Sequence, residues 1–330
     1  MAPFRPDRGR GEARRVHRLL TPGSRARNTA ARARRHARGV HDRLGLNVHR
    51  DAWPGAATLA AQRAAGFAWA QVHTPPRAML AERRDGLRHA QALRAEIEGT
   101  GLRLLLHAPD DLSAGTYEHD RALDGLLGYA EAAGAELVAY HGLNFVEADG
   151  PAAVRLRERA QLEERSLIPR LQRAHSIGIT MAIENLAPVY PGERRRCHDP
   201  IAVRDLVRRL DSPAAGMLLD LGHLHITADA TRSDLASVLA ACAPDVVLFH
   251  VHDNLGCRRS VDAPGVDPIR LDLHLPPGRG TLPWARGAAV VGSHAAPVML
   301  EVERSHRPAL DVLAADTVRL LGGAALAAAA

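Results

Sequence analysis

The sequence alternates regularly between short apolar runs and longer stretches of helical periodicity, and this alternation restricts its fold more than any other feature. Several of the helical stretches end in glycine, as helices commonly do. Eight strands that alternate with helices predict a single-domain α/β fold, the (β/α)₈ or TIM barrel. The eight strand-like runs are Leu44–Val48, Ala68–Val72, Leu102–Leu106, Leu137–Tyr140, Ile179–Ile183, Gly216–Leu219, Val246–Val251 and Val298–Leu300.

A doubly wound parallel sheet is the main alternative to the barrel. Such a sheet usually carries a GxGxxG phosphate-binding loop after an early strand, and the segment "GLNVHRDAWPG" at 45–55 lacks this pattern. We therefore expect a barrel over residues 41–320.

The two ends of the chain differ in composition from this central part. Residues 1–43 contain 13 arginines against three acidic residues, whereas the rest of the chain contains 30 arginines against 34 acidic residues. A segment so rich in Arg, Ala and Gly cannot bury enough apolar surface to fold alone, so we interpret residues 1–40 as a disordered extension or the product of a misassigned start codon. A nucleic-acid-binding arm and a transit peptide are the alternatives. Residues 321–330 are an Ala-rich C-terminal tail.

Composition excludes several classes of protein. The three cysteines lie far apart without a CxxC pair, which argues against a disulfide framework and a thiolate zinc site. No apolar run reaches the roughly 18 residues of a transmembrane helix, and the N-terminus lacks the apolar core of a secretory signal. We therefore expect a cytoplasmic protein without a membrane partner.

Side chains that can bind metal follow nearly every predicted strand. In a TIM barrel the C-terminal ends of the strands meet at one face, where active sites lie. The residues at these positions are Asn47, His49, His73, His107, His141, Glu184, Asn185, Asp220, His223, His250, His252 and Glu301, with Asp272 and His274 in the loop before the last strand.

A shared metal ion explains these residues better than independent burial does. A single histidine on an apolar strand is usually a hydrogen-bonded core residue, but that explanation would have to hold separately on several strands. A carboxylate buried after an apolar run is costly unless it is compensated, and a cation compensates Glu184, Asp220 and Glu301 together. Carboxylates and imidazoles suit one divalent ion among Mn, Co, Mg, Fe and Zn, and the sequence does not choose among them.

The segment "FHVHDN" at 249–254 contains two of the candidate ligands. His250 and His252 point the same way along a strand, because side chains alternate with a period of two. We expect His250 to face the metal, and His252 to orient a ligand or contact the substrate. Trp53, in the loop after the first strand, and Arg258, in the long segment before Asp272, are further candidate substrate contacts.

Five short motifs occur in a characteristic order: "IEN" (183–185), "DLGH" (220–223), "HVHDN" (250–254), "DLHLPPGRG" (272–280) and "LEV" (300–302). In this order they resemble the xylose isomerase-like TIM barrel superfamily, in particular its sugar phosphate isomerase/epimerase and endonuclease IV branches. The resemblance covers residues 44–320.

The isomerase/epimerase branch implies one divalent metal bound by Glu184, Asp220, His250 and Glu301, with His223 at the substrate. It also implies that the substrate is a small sugar or sugar phosphate. The metal would stabilise an enediolate, while the catalytic carboxylates of Glu184 and Glu301 remove and return a proton. By analogy with such barrels, a homo-oligomer is also expected.

The endonuclease IV branch implies three zinc ions that cleave a phosphodiester at an abasic site in DNA. The acidic body and the 3% aromatic content argue against a nucleic-acid partner. We therefore favour a sugar isomerase or epimerase and keep the hydrolase as the alternative, with carbon–oxygen lyase, C-glycoside cleavage and non-catalytic binding also open. All nine ligand positions implied by this branch are filled, by His107, His141, Glu184, Asp220, His223, His250, Asp272, His274 and Glu301.

Overall fold

A computed structural model of the chain describes residues 39–146, 151–189, 194–257 and 272–329, with side chains described except at 151–153 and 323–329. Eight parallel strands close into one barrel, in which the last strand pairs with the first. The predicted (β/α)₈ barrel is therefore confirmed, and every strand boundary agrees with the prediction to within one residue. The strands are β1 (Leu44–Asn47), β2 (Trp69–His73), β3 (Arg103–His107), β4 (Leu137–Tyr140), β5 (Thr180–Glu184), β6 (Ala215–Asp220), β7 (Val246–Val251) and β8 (Val298–Leu300).

Ten α-helices surround the barrel within the described ranges. Local signals fix several of their ends. The Asp199 side chain caps the helix Pro200–Leu210 by accepting a hydrogen bond from the Ile201 amide at 2.9 Å, and Gly134 ends the helix Tyr117–Ala133 with a φ of 76°. Among the described residues, no helix is both long enough and apolar enough to cross a membrane. The helices are α1 (Ala56–Ala64), α2 (Arg77–Ala81), α3 (Arg83–Ile97), α4 (Tyr117–Ala133), α5 (Pro151–Ser176), α6 (Pro200–Leu210), α7 (Leu221–Thr231), α8 (Leu235–Cys242), α9 (Trp284–Ser293) and α10 (Leu310–Ala329).

The two ends predicted to lie outside the barrel are described only in part. Residues 1–38, within the predicted disordered extension, lie outside the described residues. Val40 is buried in the apolar core, so the folded body includes it. At the other end, α10 runs to Ala329 and Leu321 is buried, so the Ala-rich tail continues the last helix.

An apolar layer fills the barrel interior and forms the floor of the candidate site. Side chains on a strand alternate, so a residue two positions further on points in the same direction. On each of seven strands, the residue of this layer is followed two positions later by a polar residue at the C-terminal face. The buried layer contains Trp69, Leu105, Ala139, Ala182, Leu218, Leu248 and Met299. The polar residues above it are Gln71, His107, His141, Glu184, Asp220, His250 and Glu301.

Candidate metal centre

Four residues from the last four strands form what we call the central cluster: Glu184, Asp220, His250 and Glu301. One ligand atom of each lies within 4.8 Å of those of the other three. Nδ1 of His250 lies 3.2 Å from Oε1 of Glu184, 3.4 Å from Oε2 of Glu301 and 3.7 Å from Oδ2 of Asp220. All four side chains are buried. The barrel thus brings together the four residues that the isomerase resemblance implied as metal ligands.

Glu184 and Glu301 favour their ionised forms. Burial is the largest influence on Glu301 and opposes its ionisation, but attraction to His250, His107 and His274 together lowers its pKa to about 2. Burial likewise opposes the ionisation of Glu184, and the combined interactions with His250, His107 and His141 place its pKa well below the usual value. Both carboxylates can therefore bind a cation or accept a proton at neutral pH.

Two amide side chains orient the central cluster. Oε1 of Gln71 lies 2.8 Å from Nε2 of His250, and the Gln71 amide nitrogen donates to Glu301. Asn185 holds the backbone of Asp220, accepting from its N–H at 2.9 Å and donating to its carbonyl at 3.2 Å. The sequence motifs predict no role for Gln71. A signal existed, because Gln71 is the polar residue inside the apolar run "AWAQV" and lies two positions after the interior Trp69.

A second group, the β3–β4 cluster, contains His107, His141 and Glu184. Nε2 of His107 lies 3.5 Å from Oε2 of Glu184, and Nε2 of His141 lies 3.3 Å from the same oxygen. Nδ1 of His107 contacts the Ala108 carbonyl at 2.8 Å, so it donates there and Nε2 faces Glu184. Glu184 therefore belongs to both clusters and links them.

A third group, the loop cluster, contains His223, His252, Asp272 and His274. Oδ2 of Asp272 lies 3.2 Å from Nε2 of His223 and 3.3 Å from Nε2 of His274. Nε2 of His252 lies 3.8 Å from Oδ1 of Asp272 and 3.1 Å from Oδ1 of Asp220. Burial opposes the ionisation of Asp272, but the neighbouring His274 and His223 place its pKa well below the usual value. All nine residues of the larger implied ligand set therefore lie in these three clusters.

The donor atoms fit divalent metal ions. Each cluster contains a buried carboxylate oxygen that forms no hydrogen bond within the described residues: Oε2 of Glu184, Oδ2 of Asp220 and Oδ1 of Asp272. Burying an unsatisfied carboxylate oxygen is unfavourable, and a bound cation removes that penalty. Oxygen and imidazole ligands without thiolate are typical of Mn²⁺, Co²⁺, Fe²⁺ and Zn²⁺ sites.

The clusters lie at the base of a cavity of about 780 Å³ at the C-terminal face of the barrel. Polar residues at the strand ends form much of its wall, including Asn47 and His49. At its rim, Arg50 pairs with Asp110 at 2.9 Å. This volume lies within the range typical of small-molecule sites, about 300–1,000 Å³.

The three predicted substrate contacts have different outcomes. Trp53 is 44% exposed and does not line the cavity, because its indole N–H donates to Glu96 on α3 at 3.3 Å. His252 is fully buried and is also absent from the cavity wall, so it lies behind the surface that a substrate would touch. Arg258 lies outside the described residues.

Asp253 anchors the loop that supplies Asp272 and His274. Its buried carboxylate accepts hydrogen bonds from the Gly278 amide at 3.0 Å and from the Trp284 indole at 2.8 Å. Its backbone pairs with that of Leu275 through two hydrogen bonds of 2.8 Å. The last residues of "FHVHDN" therefore leave the strand to hold a loop in place.

The closed eight-stranded parallel barrel with its surrounding helices is a TIM barrel. The carboxylate and imidazole clusters at the C-terminal ends of its strands could hold metal ions. The chain belongs to the xylose isomerase-like TIM barrel family, whose model matches residues 59–321. A search of curated proteins found no match.

Solved structures with the same fold include two sugar epimerases. L-ribulose 3-epimerase is 16% identical, with a TM-score of 0.62, covering 87% of this chain and 96% of its own. The 3-keto-D-glucoside 4-epimerase YcjR from E. coli is 13% identical, with a TM-score of 0.59, covering 85% of this chain and 99% of its own. A Thermus thermophilus protein, TTHB071, soaked with ZnCl₂, is 21% identical, with a TM-score of 0.56, covering 85% of this chain and 98% of its own. At these identities the similarity establishes the fold.

Proposed function

We propose that this chain is a divalent-metal-dependent sugar isomerase or epimerase in which Glu184 and Glu301 transfer a proton at a carbon next to a carbonyl group. The observation that carries the proposal is the central cluster, in which two ionised carboxylates from β5 and from the end of β8 approach the same imidazole, His250. Either carboxylate can accept a proton, and it becomes a proton donor once it has been protonated by substrate or solvent.

The residues of the central cluster have two tasks in this reaction: all four hold the metal, and two of them also transfer the proton. Glu184, Asp220, His250 and Glu301 would hold the metal. The bound metal would polarise the substrate oxygens and stabilise the negative charge that develops on them. One carboxylate removes the proton and becomes a carboxylic acid. In an epimerisation, the other carboxylate takes a proton from solvent and delivers it to the opposite face of the same carbon, and the first carboxylic acid then loses its proton to solvent. In an isomerisation, the abstracted proton is delivered to the neighbouring carbon. Gln71 keeps His250 and Glu301 in position throughout.

The cavity supports a sugar as the substrate. Its volume of about 780 Å³ accommodates a monosaccharide, and its wall offers Asn47, His49 and Asn144 as hydrogen-bonding groups for hydroxyls. The two structurally similar enzymes above act, by their names, on L-ribulose and on a 3-keto-D-glucoside. These similarities support the substrate class and leave the particular sugar to experiment.

Proton transfer can be tested directly by solvent exchange. The metal-loaded protein is incubated in D₂O with D-tagatose, L-ribulose and D-psicose, and deuterium at the carbons next to the carbonyl is measured by NMR. We expect incorporation with at least one ketose, and its loss in Glu184→Gln. Glu303→Gln is the matched control, because Glu303 lines the same cavity outside the three clusters. Absence of exchange across a wide panel of aldoses and ketoses would overturn the proposal.

A second candidate function, phosphodiester hydrolysis by a multinuclear metal centre, is favoured by one observation. The β3–β4 cluster shares Glu184 with the central cluster, and the loop cluster lies beside it, with His252 only 3.1 Å from Asp220. Paired metal ions stabilise both the attacking and the leaving oxygen of such a reaction. Elemental analysis of the untagged protein separates the two functions: about one ion bound at the catalytic residues favours the isomerase. Ions at both the central and the β3–β4 clusters, with cleavage of an abasic-site duplex, favour the hydrolase.

A further inference from the structure

We propose that Arg307 is a positioning residue that fixes the side-chain amide of Asn47 with its N–H groups toward the cavity, so that the site selects a substrate oxygen that accepts a hydrogen bond there. The inference rests on the proposed function, to which it adds the means of recognising one oxygen of the sugar. Arg307 does not line the cavity, whereas Asn47 does, so Arg307 acts only through Asn47.

The register of β1 places Asn47 at the level of the polar residues above the apolar layer. Gly45 pairs with Trp69 on one side and with Met299 on the other, and both of these belong to that layer. A Cβ atom at residue 45 would overlap both side chains, so Gly45 faces the barrel interior. Because side chains alternate along a strand, Asn47 leaves β1 in the same direction two positions later.

Asn47 lies beside the proposed proton-transfer group Glu301. It pairs with Gln71 on one neighbouring strand. On the other side Leu46 pairs with Leu300, so Asn47 and Glu301 follow at the same level of adjacent strands. Both residues line the cavity. We therefore expect a sugar bound at Glu301 to bring one of its oxygens to the Asn47 amide.

Arg307 determines which end of this amide faces the cavity. Its Nη2 donates to Oδ1 of Asn47 at 2.5 Å and to the Asn47 backbone carbonyl at 3.0 Å. Its Nε donates to the Val302 carbonyl at 2.8 Å, which holds the guanidinium group in place. A guanidinium group carries only donors, so the amide oxygen must face Arg307 and the amide nitrogen must point away from it.

The amide nitrogen of Asn47 is available to a substrate. Among the described residues it has no hydrogen-bond partner, and it is not one of the enclosed polar atoms that lack one. Since Asn47 lines the cavity, this nitrogen is open to it. An amide NH₂ group donates and does not accept. It therefore matches a carbonyl oxygen or a lone pair of a hydroxyl group, and it disfavours an ammonium group of an amino sugar at the same position.

A double-mutant cycle tests whether Arg307 acts through Asn47. kcat and KM are measured on the ketose identified by solvent exchange, for wild type, Asn47→Ala, Arg307→Met and the double variant. Arg307→Met should raise KM by about 3–10-fold at nearly unchanged kcat, as expected for one hydrogen bond that is equally strong in the ground and transition states. In the Asn47→Ala background, Arg307→Met should have no further effect, whereas unconnected structural losses would add. Arg304→Met is the control, because Arg304 is exposed and its side chain does not contact Asn47.

Asn47→Asp tests the polarity of the group that faces the cavity. Aspartate keeps an acceptor for Arg307 but presents a second oxygen where the wild type presents N–H. We expect kcat/KM to be at least about threefold lower in Asn47→Asp than in Asn47→Ala, because an acceptor that faces an acceptor costs more than a missing hydrogen bond. Metal content is measured in both variants to confirm equal loading.

NMR of the Asn47 side-chain amide gives a readout that needs no turnover. Its signals in the ¹⁵N spectrum are assigned by their loss in Asn47→Asp. We expect an order parameter near about 0.85 in wild type and in Arg304→Met, and below about 0.6 in Arg307→Met. Arg307→Lys, which keeps one donor, should restore part of the order. The signals should shift when the ketose is added to metal-loaded Glu184→Gln.

Four results would overturn the inference: an unchanged KM in folded Arg307→Met, additive effects in the cycle, an equally ordered amide in Arg307→Met, or amide signals that the ketose does not shift. Far-UV circular dichroism shows which variants fold, and Asn47→Asp, which keeps the contact with Arg307, decides the question if Arg307→Met does not. Any of these results together with deuterium exchange in wild type leaves the proposed reaction intact. Shifted amide signals without exchange into any sugar would instead overturn the proposed reaction and support this inference.

Discussion

Oε1 of Gln71 lies 2.8 Å from Nε2 of His250, deep inside the barrel. Because an amide oxygen only accepts, Nε2 of His250 is the donor and Nδ1 faces the three carboxylates of the central cluster. The amide nitrogen of Gln71 donates to Glu301, so one neutral side chain orients two residues of the cluster. Gln71 lies at the same level of the barrel as these residues and is fully buried.

Replacement of Gln71 should therefore weaken metal binding without unfolding the protein. Gln71→Leu preserves approximate volume but frees the His250 ring and Glu301, so we expect metal affinity at the central cluster to fall by about 10–100-fold. Competition with a chromophoric chelator measures this change. Gln62→Leu is the control, because Gln62 is equally buried on α1 and belongs to none of the clusters. Equal affinity in Gln71→Leu and wild type would contradict the orienting role.

Glu184→Gln removes one of the two proposed proton-transfer groups. We expect kcat on the sugar identified by solvent exchange to fall by at least about 100-fold, the lower range for loss of a general base. Circular dichroism should show an intact fold. Near-normal turnover would remove Glu184 from the mechanism.

His107→Ala distinguishes one catalytic ion from several. His107 belongs to the β3–β4 cluster and not to the central cluster. For a one-metal isomerase we expect kcat to fall by no more than about tenfold, which is roughly 1.4 kcal/mol in activation free energy. A loss as large as that of Glu184→Gln, measured under the same metal saturation, would favour the multinuclear hydrolase.

Glu163 should make stability depend on pH near neutrality. Its buried carboxylate accepts hydrogen bonds from the Tyr140 hydroxyl at 2.7 Å and from the Leu143 amide at 3.2 Å. Burial raises the pKa of Glu163 from 4.5 to about 7 in spite of these donors. As the pH rises, Glu163 therefore loses its proton at a lower pH in the unfolded chain than in the folded protein. The associated stability is fully present below pH 4.5 and is lost as the pH approaches 7, by about 3 kcal/mol.

Urea unfolding at pH 5 and pH 8 measures this effect. The decrease in the free energy of unfolding between the two pH values should be smaller in Glu163→Gln than in wild type. Glu164→Gln should behave as wild type, because Glu164 is the partly exposed partner of Arg209. An unchanged pH dependence in Glu163→Gln would show that this carboxylate is not the titrating group.

Trp284→Phe tests the anchor at Asp253. The variant keeps an aromatic ring but leaves one buried carboxylate oxygen without its 2.8 Å donor. A hydrogen bond to a charged group contributes about 1.5–3 kcal/mol, and we expect the free energy of unfolding to fall by that amount. Trp53→Phe removes a hydrogen bond from an exposed indole, so its effect should stay within about 0.5 kcal/mol. Equal effects of the two substitutions would argue against the anchor.

The barrel and its candidate ligands were predictable because they depend on periodicity within single strands. Glu184 and Asp220 each follow an apolar run. The alternation of side chains along that run predicts that both carboxylates point into the barrel, at the C-terminal end of the strand. The role of Gln71 depends on its distance from His250, five strands away along the chain, which no local pattern encodes. The contact between Gly222 and His252 is equally non-local, because a Cβ atom at residue 222 would overlap the His252 ring, which lies at the end of another strand, β7. The position of Trp53 could not be predicted either, because its contact with Glu96 depends on a helix that lies more than 40 residues away in the sequence.

The pairing of Asp253 with Leu275 has a consequence for the loop that it closes. Both ends of the intervening segment are fixed to each other by two backbone hydrogen bonds of 2.8 Å, beside the loop cluster. The entropy of closing a loop depends only weakly on the number of residues in it. The positions of Asp272 and His274 therefore depend on this backbone pairing more than on how many residues lie between Asp253 and Leu275.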